Sequence, residues 1–341
     1  MPFVDISSTA GAAHMYYTIA TPTNPSAQHI DRDLPTVIFL HPVYIASQIF
    51  HPQFLDPSLR RFNLIACDSR CHGESIGHVP KNFTRLEASE DIFQLMKSLD
   101  LPPCHVVGLS MGACIGLSLA INHPDRVLSV TMLSPLPLEE PQDVAEGRQE
   151  IYDCWAEGFH DPDSVDEYAI TDSVYGSLQL GFNNATSGVI HALIKSAVPQ
   201  AKKNWDNHNL DAYYEVSVGF FIHRKPHPRD TLAKVRCPLL LVHCGGDIAY
   251  PFHYATELAD ALKGAGIDVT VRAIPDACHF GSVTHPKQIN RILHDWLVAK
   301  STGEHKPGPV PATAVASPFT GVLGSCSSDS SDSDDTDYYG S

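Results

Sequence analysis

Apolar runs of strand length alternate with segments of helical spacing along most of the chain. The runs at 36–41 (TVIFLH), 62–67 (FNLIAC), 105–109 (HVVGL), 127–133, 238–243 (PLLLVH) and 268–274 (DVTVRAI) predict strands. Helices are expected between them. Thr84 and Glu87 have the spacing of a capping box and open a segment that ends near Leu99, with Leu86, Ile92, Phe93, Leu95 and Met96 as its apolar stripe. Further helices are predicted over 111–122, 252–263 and 286–298. This alternation is that of an α/β fold, a mostly parallel sheet covered by helices on both faces. Residues 15–20 are placed as an antiparallel addition at one edge.

The rhythm breaks between about 136 and 230. That stretch holds Trp155, Phe159, Tyr168, Tyr175, Phe182, Trp205, Tyr213, Tyr214, Phe220 and Phe221 in helical-looking segments without strands. It reads as a helical cap inserted into a domain of residues 1–300, most of its aromatics forming the insert's own core and a few lining a pocket. From 301 to 341 the chain is rich in Pro, Ser, Gly and Asp, too polar to bury a core, and is expected to be a disordered acidic tail. Its serine–aspartate run could serve a kinase or a tail-binding partner.

Composition narrows the functional class. A hydrophobic fraction of 43% with 18% charged residues suits a globular protein, and the net charge of −16 argues against binding nucleic acid through its phosphates. No stretch approaches the roughly 20 apolar residues of a membrane span, and the first residues lack a basic segment followed by an apolar run. A cytoplasmic address is therefore expected. Nine scattered cysteines read as reduced thiols, and the sequons at Asn82 and Asn184 as unused. The spacings of Cys67, Cys71 and His72, of His243 and Cys244, and of Cys278 and His279 fit no familiar zinc pattern. No phosphate-binding loop or dinucleotide fingerprint is present, so no cofactor is expected.

Gly108-Leu109-Ser110-Met111-Gly112 places a serine between two glycines where a strand turns into a helix. Glycine removes the Cβ atoms that would clash in so sharp a turn, leaving Ser110 presented as a nucleophile. A hydroxyl attacks only when a base takes its proton. Asp247 follows the run PLLLVH, and His279 follows the next predicted strand, so the order is Ser, Asp, His, with each residue in a loop just after a strand. Parallel strands bring such loops to one edge. Glu139 and Glu140 are rivals to Asp247 for the acid, and His285 is the rival to His279, although its place beside Pro286 suits a helix start. Asp276 is read as shaping its loop, and His41 and His72 as organising turns near the site.

With these motifs the sequence resembles the α/β-hydrolase superfamily over roughly residues 15–300. LHPVY stands where the family often has a strand ending in His-Gly, DSRCHGES is similar to its D-x-R-G-x-G-x-S turn, and GLSMG, GGDIAYP and the histidine loop complete the pattern. Pro42 and Cys71 replace two of the family's glycines. Proline has no N–H, and the resemblance assigns the oxyanion donors to the backbone of Val43 and Met111. It implies a serine hydrolase that cleaves an ester or related acyl bond of a small, fairly apolar substrate through an acyl-enzyme. The same fold also carries cofactor-free C–C hydrolases and lyases, and a ligand-binding protein with little turnover is a further alternative.

Overall fold

The computed structural model describes residues 2–161, 164–301 and 306–324. Among them, nine strands form one sheet: β1 (Phe3–Ser8), β2 (Gly11–Ala20), β3 (Thr36–Leu40), β4 (Asn63–Cys67), β5 (Ile76–Gly77), β6 (Cys104–Leu109), β7 (Val127–Leu133), β8 (Leu239–Cys244) and β9 (Val269–Ile274). Their order is β1-β2-β4-β3-β6-β7-β8-β9, with β5 paired to β2. From β4 to β9 every pairing is parallel, and β1, β2 and β5 add antiparallel pairs at one edge. All six predicted strands are present, and the expected antiparallel edge starts earlier, at Phe3.

The central strands are buried along their full length because helices cover both faces. Side-chain alternation then sorts residues between two cores. Ile38, Leu40 and Val106 face one, and Val37, Phe39, Val107 and Leu109 face the other. Against the first core pack α1 (Arg85–Ser98) and α2 (Met111–Asn122). The predicted capping box of α1 is formed, Thr84 Oγ1 accepting the Leu86 N–H and Glu87 accepting the Thr84 N–H.

Between β7 and β8 the chain is helical, with α3 (Gln142–Gly158), α4 (Glu167–Phe182) and α5 (Gly188–Asn204) as its long elements. Trp155, Trp205, Tyr213 and Phe221 are buried there, as expected of an internal core. Tyr168 and Tyr175 depart from that expectation: they are 88% and 66% exposed. After β8 come α6 (Phe252–Gly264) and α7 (Pro286–Lys300), and His285 is the N-cap residue of α7.

The expectation of a tail disordered from 301 does not hold for 306–324. Phe319 is buried against Phe54, Arg60 donates to the Ala316 carbonyl, and Gly308 donates to Arg61. One aromatic anchor and a few hydrogen bonds, most of them from side chains of the domain, dock a segment whose composition is otherwise that of a linker. The serine–aspartate run lies outside the described residues.

Candidate active site

A parallel sheet delivers the loops after β3, β4, β6, β8 and β9 to a single edge, where Ser110, Asp247 and His279 meet. His279 Nε2 lies 2.8 Å from Ser110 Oγ, and His279 Nδ1 lies 2.5 Å from Asp247 Oδ2. Asp247 Oδ1 accepts the N–H groups of Ala249 and Tyr250, both at 3.0 Å, which fixes the carboxylate beneath the imidazole. Ser110 and His279 are 1% and 2% exposed. In a site so closed to water, electrostatic interactions between these groups are strengthened.

Ser110 has φ 54° and ψ −110°, a conformation that costs an L-residue about 1–3 kcal/mol. Its surroundings hold it there. The Ser110 N–H donates to the Leu133 carbonyl, and the Ala113 N–H donates to the Ser110 carbonyl. Both flanking glycines are required by close approach: a Cβ on Gly108 would lie 2.2 Å from Gly112 O, and one on Gly112 would lie 2.0 Å from Leu40 O. The tight turn therefore seats α2 directly on the end of β3.

That contact brings the chain after β3 to the start of α2. Met111 is the first residue of α2, where a backbone N–H has no acceptor within the helix, and Val43 lies in the loop just after β3. The loop carrying Val43 is tied down by His41, whose Nε2 accepts the Ser69 N–H at 2.8 Å while Nδ1 donates to Pro42 O. His72 Nδ1 donates to Arg70 O, and its ring lies between those of His41 and Trp205. Both histidines organise turns. Cys71 takes a left-handed φ of 61°, the conformation that glycine accepts most readily, and its thiol is buried near Asn204 O.

Burial lowers the pKa of His41 to about 4 and that of His72 to about 3, the neighbouring His41 adding to the shift in His72. An unfolded chain binds protons at these sites below the ordinary value of 6.5, whereas the native state does not. Their contribution is therefore complete above pH 6.5 and is lost as the pH falls toward 4 and 3. Between pH 6.5 and about pH 5, each is expected to remove about 2 kcal/mol of stability. Denaturant unfolding at the two pH values checks this, and a free energy that does not change between them would contradict it.

The rival acid Glu140 does not reach His279. It accepts from Arg148 Nε at 2.7 Å, from Arg224 Nη2 at 2.9 Å and from the Tyr250 hydroxyl at 2.8 Å. Burial pushes its carboxyl up, but Arg148 and Arg224 outweigh burial and hold it below the usual range. Tyr250 also packs on the His279 ring at 5.3 Å, so this network braces the acid loop against α3. Glu139 pairs with Lys225 at the surface, and Asp276 is exposed. Sequence reading missed the roles of Arg148, Arg224 and Tyr250, whose partners come from distant parts of the chain, and of Ser134, whose hydroxyl donates to the His279 carbonyl.

The helical span lies directly on the histidine loop. Phe280 N–H donates to Gly181 O, and the Phe182 and Phe280 rings meet edge to face. Nearby, an apolar cavity of about 50 Å³ is walled by Tyr44, Trp155, Trp205, Tyr213 and Phe280 among others. Ser110 and His279 are not in its wall, but the neighbours of Val43 and His279 in the chain, Tyr44 and Phe280, are.

A family model described as the alpha/beta hydrolase fold matches residues 35–286, and the chain belongs to that family. It is 24% identical over 269 residues to "Putative carbamate hydrolase RutD" of Caulobacter sp. (strain K31), covering 78% of this chain and 91% of that one. Its fold is similar to a thermophilic esterase from Thermogutta terrifontis, with TM-score 0.65, 16% identity and coverage of 89% of this chain and 100% of that one. The enol-lactonase from Burkholderia xenovorans LB400 is similar at TM-score 0.61 and 21% identity, covering 87% and 99%. The protein is a hydrolase of this fold. Among the described residues, no helix is long and apolar enough to cross a membrane.

Proposed function

We propose that the protein is a serine hydrolase that cleaves an ester or related acyl bond of a small, fairly apolar substrate. The observation that carries this reading is the continuous contact from Ser110 Oγ through the His279 imidazole to Asp247. His279 takes the hydroxyl proton as Ser110 attacks the carbonyl carbon, and Asp247 holds the imidazole and stabilises its positive form. The Val43 and Met111 N–H groups receive the oxyanion. Losing one such donor costs about 3–4 kcal/mol of transition-state stabilisation in comparable sites. His279 then returns the proton to the leaving group and activates the water that frees the acyl group. The carbamate bond in the name of the RutD relative would be attacked by the same chemistry.

In this reading the helical span between β7 and β8 acts as a cap, and the cavity behind Tyr44 and Phe280 receives the acyl chain. A cavity of about 50 Å³ offers room for only a few water-sized groups, which suits short chains. The eight cysteines among the described residues are all free, in keeping with a reducing, cytoplasmic setting.

The test is a p-nitrophenyl ester series with acyl chains from acetyl to dodecanoyl. Acetyl to butyryl esters are expected to give the highest kcat/KM, falling at least about tenfold by octanoyl as the chain outgrows the cavity. A kcat/KM that rises steadily to dodecanoyl would overturn the pocket assignment. Hydrolysis no faster than that of a Ser110→Ala variant for any ester would overturn the ester reading.

A further inference from the structure

A second cavity, of about 410 Å³, opens between the start of α1, the last turns of α2 and the chain that follows Phe220. It shares no lining residue with the apolar cavity. Ser118, in its wall, is eight residues beyond Ser110, about 12 Å along the helix axis. Arg85, His223, Arg224, Lys225 and His227 also line it, and among the described residues no aspartate or glutamate does. A carboxylate-free cavity with three permanent cations is a sharp local exception in a chain of net charge −16.

Its polar groups are incompletely used. Arg224 donates through Nη2 to Glu140 and through Nε to Pro137 O, but its buried Nη1 has no partner among the described residues. Ser118 Oγ and His227 Nε2 are likewise buried without a partner. Each such group costs about 1–3 kcal/mol unless something pairs with it. Burial and the nearby Arg85 lower the pKa of His227 to about 4, so its imidazole is neutral and can donate from Nε2. The N-terminus of α1 contributes little, because Thr84 and Glu87 already cap it. Glu140 balances only one face of Arg224, and Glu139 meets Lys225 at the exposed rim.

We propose that this cavity is a binding site for a small phosphate-bearing anion, separate from the Ser110 centre, with Arg85, Ser118, Arg224 and His227 as its ligands. A phosphate offers several acceptor oxygens to donors that converge from different directions, which matches two guanidinium groups, a hydroxyl and an imidazole. Lys225 adds a cation at the mouth, shared there with Glu139, and His223 adds a further polar group. The site goes beyond the acyl-transfer reading and stands without it.

The experiment is calorimetric titration of the full chain with inorganic phosphate and with glycerol phosphate, against sodium chloride at matched ionic strength. Phosphate is expected to bind saturably, and Arg85→Gln and Ser118→Ala each to weaken it about tenfold. Ser110→Ala is expected to bind as the parent protein does. The thermal midpoint of each variant without phosphate shows that it is folded, and the two substitutions on separate helices guard against failure of one. If phosphate produces no more heat than chloride, or if both variants bind as tightly as the parent, the site does not exist. Binding that is lost in Ser110→Ala but kept in Arg85→Gln would place the anion in the catalytic pocket and overturn the proposal. A glycerol phosphate affinity well above that of free phosphate would identify an organic phosphate as the occupant, and equal affinities would identify free phosphate.

Discussion

Replacing Ser110 by alanine is expected to lower kcat on a short-chain ester by about 10⁵- to 10⁶-fold, with little change in KM. The hydroxyl supplies the bond that forms in the first step, so its loss removes the acyl-enzyme route altogether. What remains is the catalysis that the oxyanion donors and substrate positioning give to attack by water, about 10³- to 10⁴-fold above the uncatalysed rate. Alanine at φ 54° is no more strained than serine, and the backbone hydrogen bonds to Leu133 and from Ala113 do not involve the hydroxyl. The variant should therefore unfold at nearly the parent temperature. His279→Ala should lose a similar factor, and the double variant little more, because the two side chains act in one step. Steady-state kinetics of the three variants measures all of this, and independent, multiplying losses would mean that the hydroxyl and the imidazole do not act together.

Gly112→Ala carries the largest expected effect on stability. The added methyl would sit 2.0 Å from Leu40 O and 2.5 Å from Leu40 C, both backbone atoms of the central strand. No side chain can swing away to relieve the contact, so α2 must move off β3. A loss of roughly 3 kcal/mol or more is expected, with a fall in thermal midpoint of about 6–12 °C. The same shift would widen the gap between Val43 and Met111 and reduce activity in whatever fraction stays folded. Gly147→Ala is the control. Gly147 lies inside α3 with nothing within 4 Å of its missing Cβ, so alanine there should stabilise the protein by about 0.5–1 kcal/mol. Equal stabilities for the two variants would show that Gly112 is not in close contact with the strand.

The sequence made some parts of this molecule legible and hid others for physical reasons. Residues 127–133 form β7 at their predicted bounds, because a strand covered on both faces is mostly apolar, here at every position but Ser129 and Thr131. Edge strands need no such run. In β1 only Ile6 is fully buried, and β5 is two residues long, so neither leaves a clear signature. Ser110, Asp247 and His279 could be placed together because each follows a strand of a parallel sheet, and the topology alone brings those loops to one edge. The buried network of Glu140, Arg148, Arg224 and Tyr250 has no such local rule. Tyr250 lies 110 residues from Glu140, and only the packing of α3 against the acid loop unites them. The docking of 306–324 was hidden for a related reason, since Phe319 is a single aromatic in a segment whose composition otherwise describes a linker.

The proposed chemistry requires Ser110 to be an activated nucleophile served by His279. It is tested most directly by treating the folded protein with a fluorophosphonate and locating the adduct by peptide mass spectrometry. Rapid, stoichiometric labelling of Ser110 is expected, abolished in Ser110→Ala and strongly slowed in His279→Ala. An unmodified Ser110 in active protein, or labelling that proceeds unchanged when His279 is replaced, would contradict it.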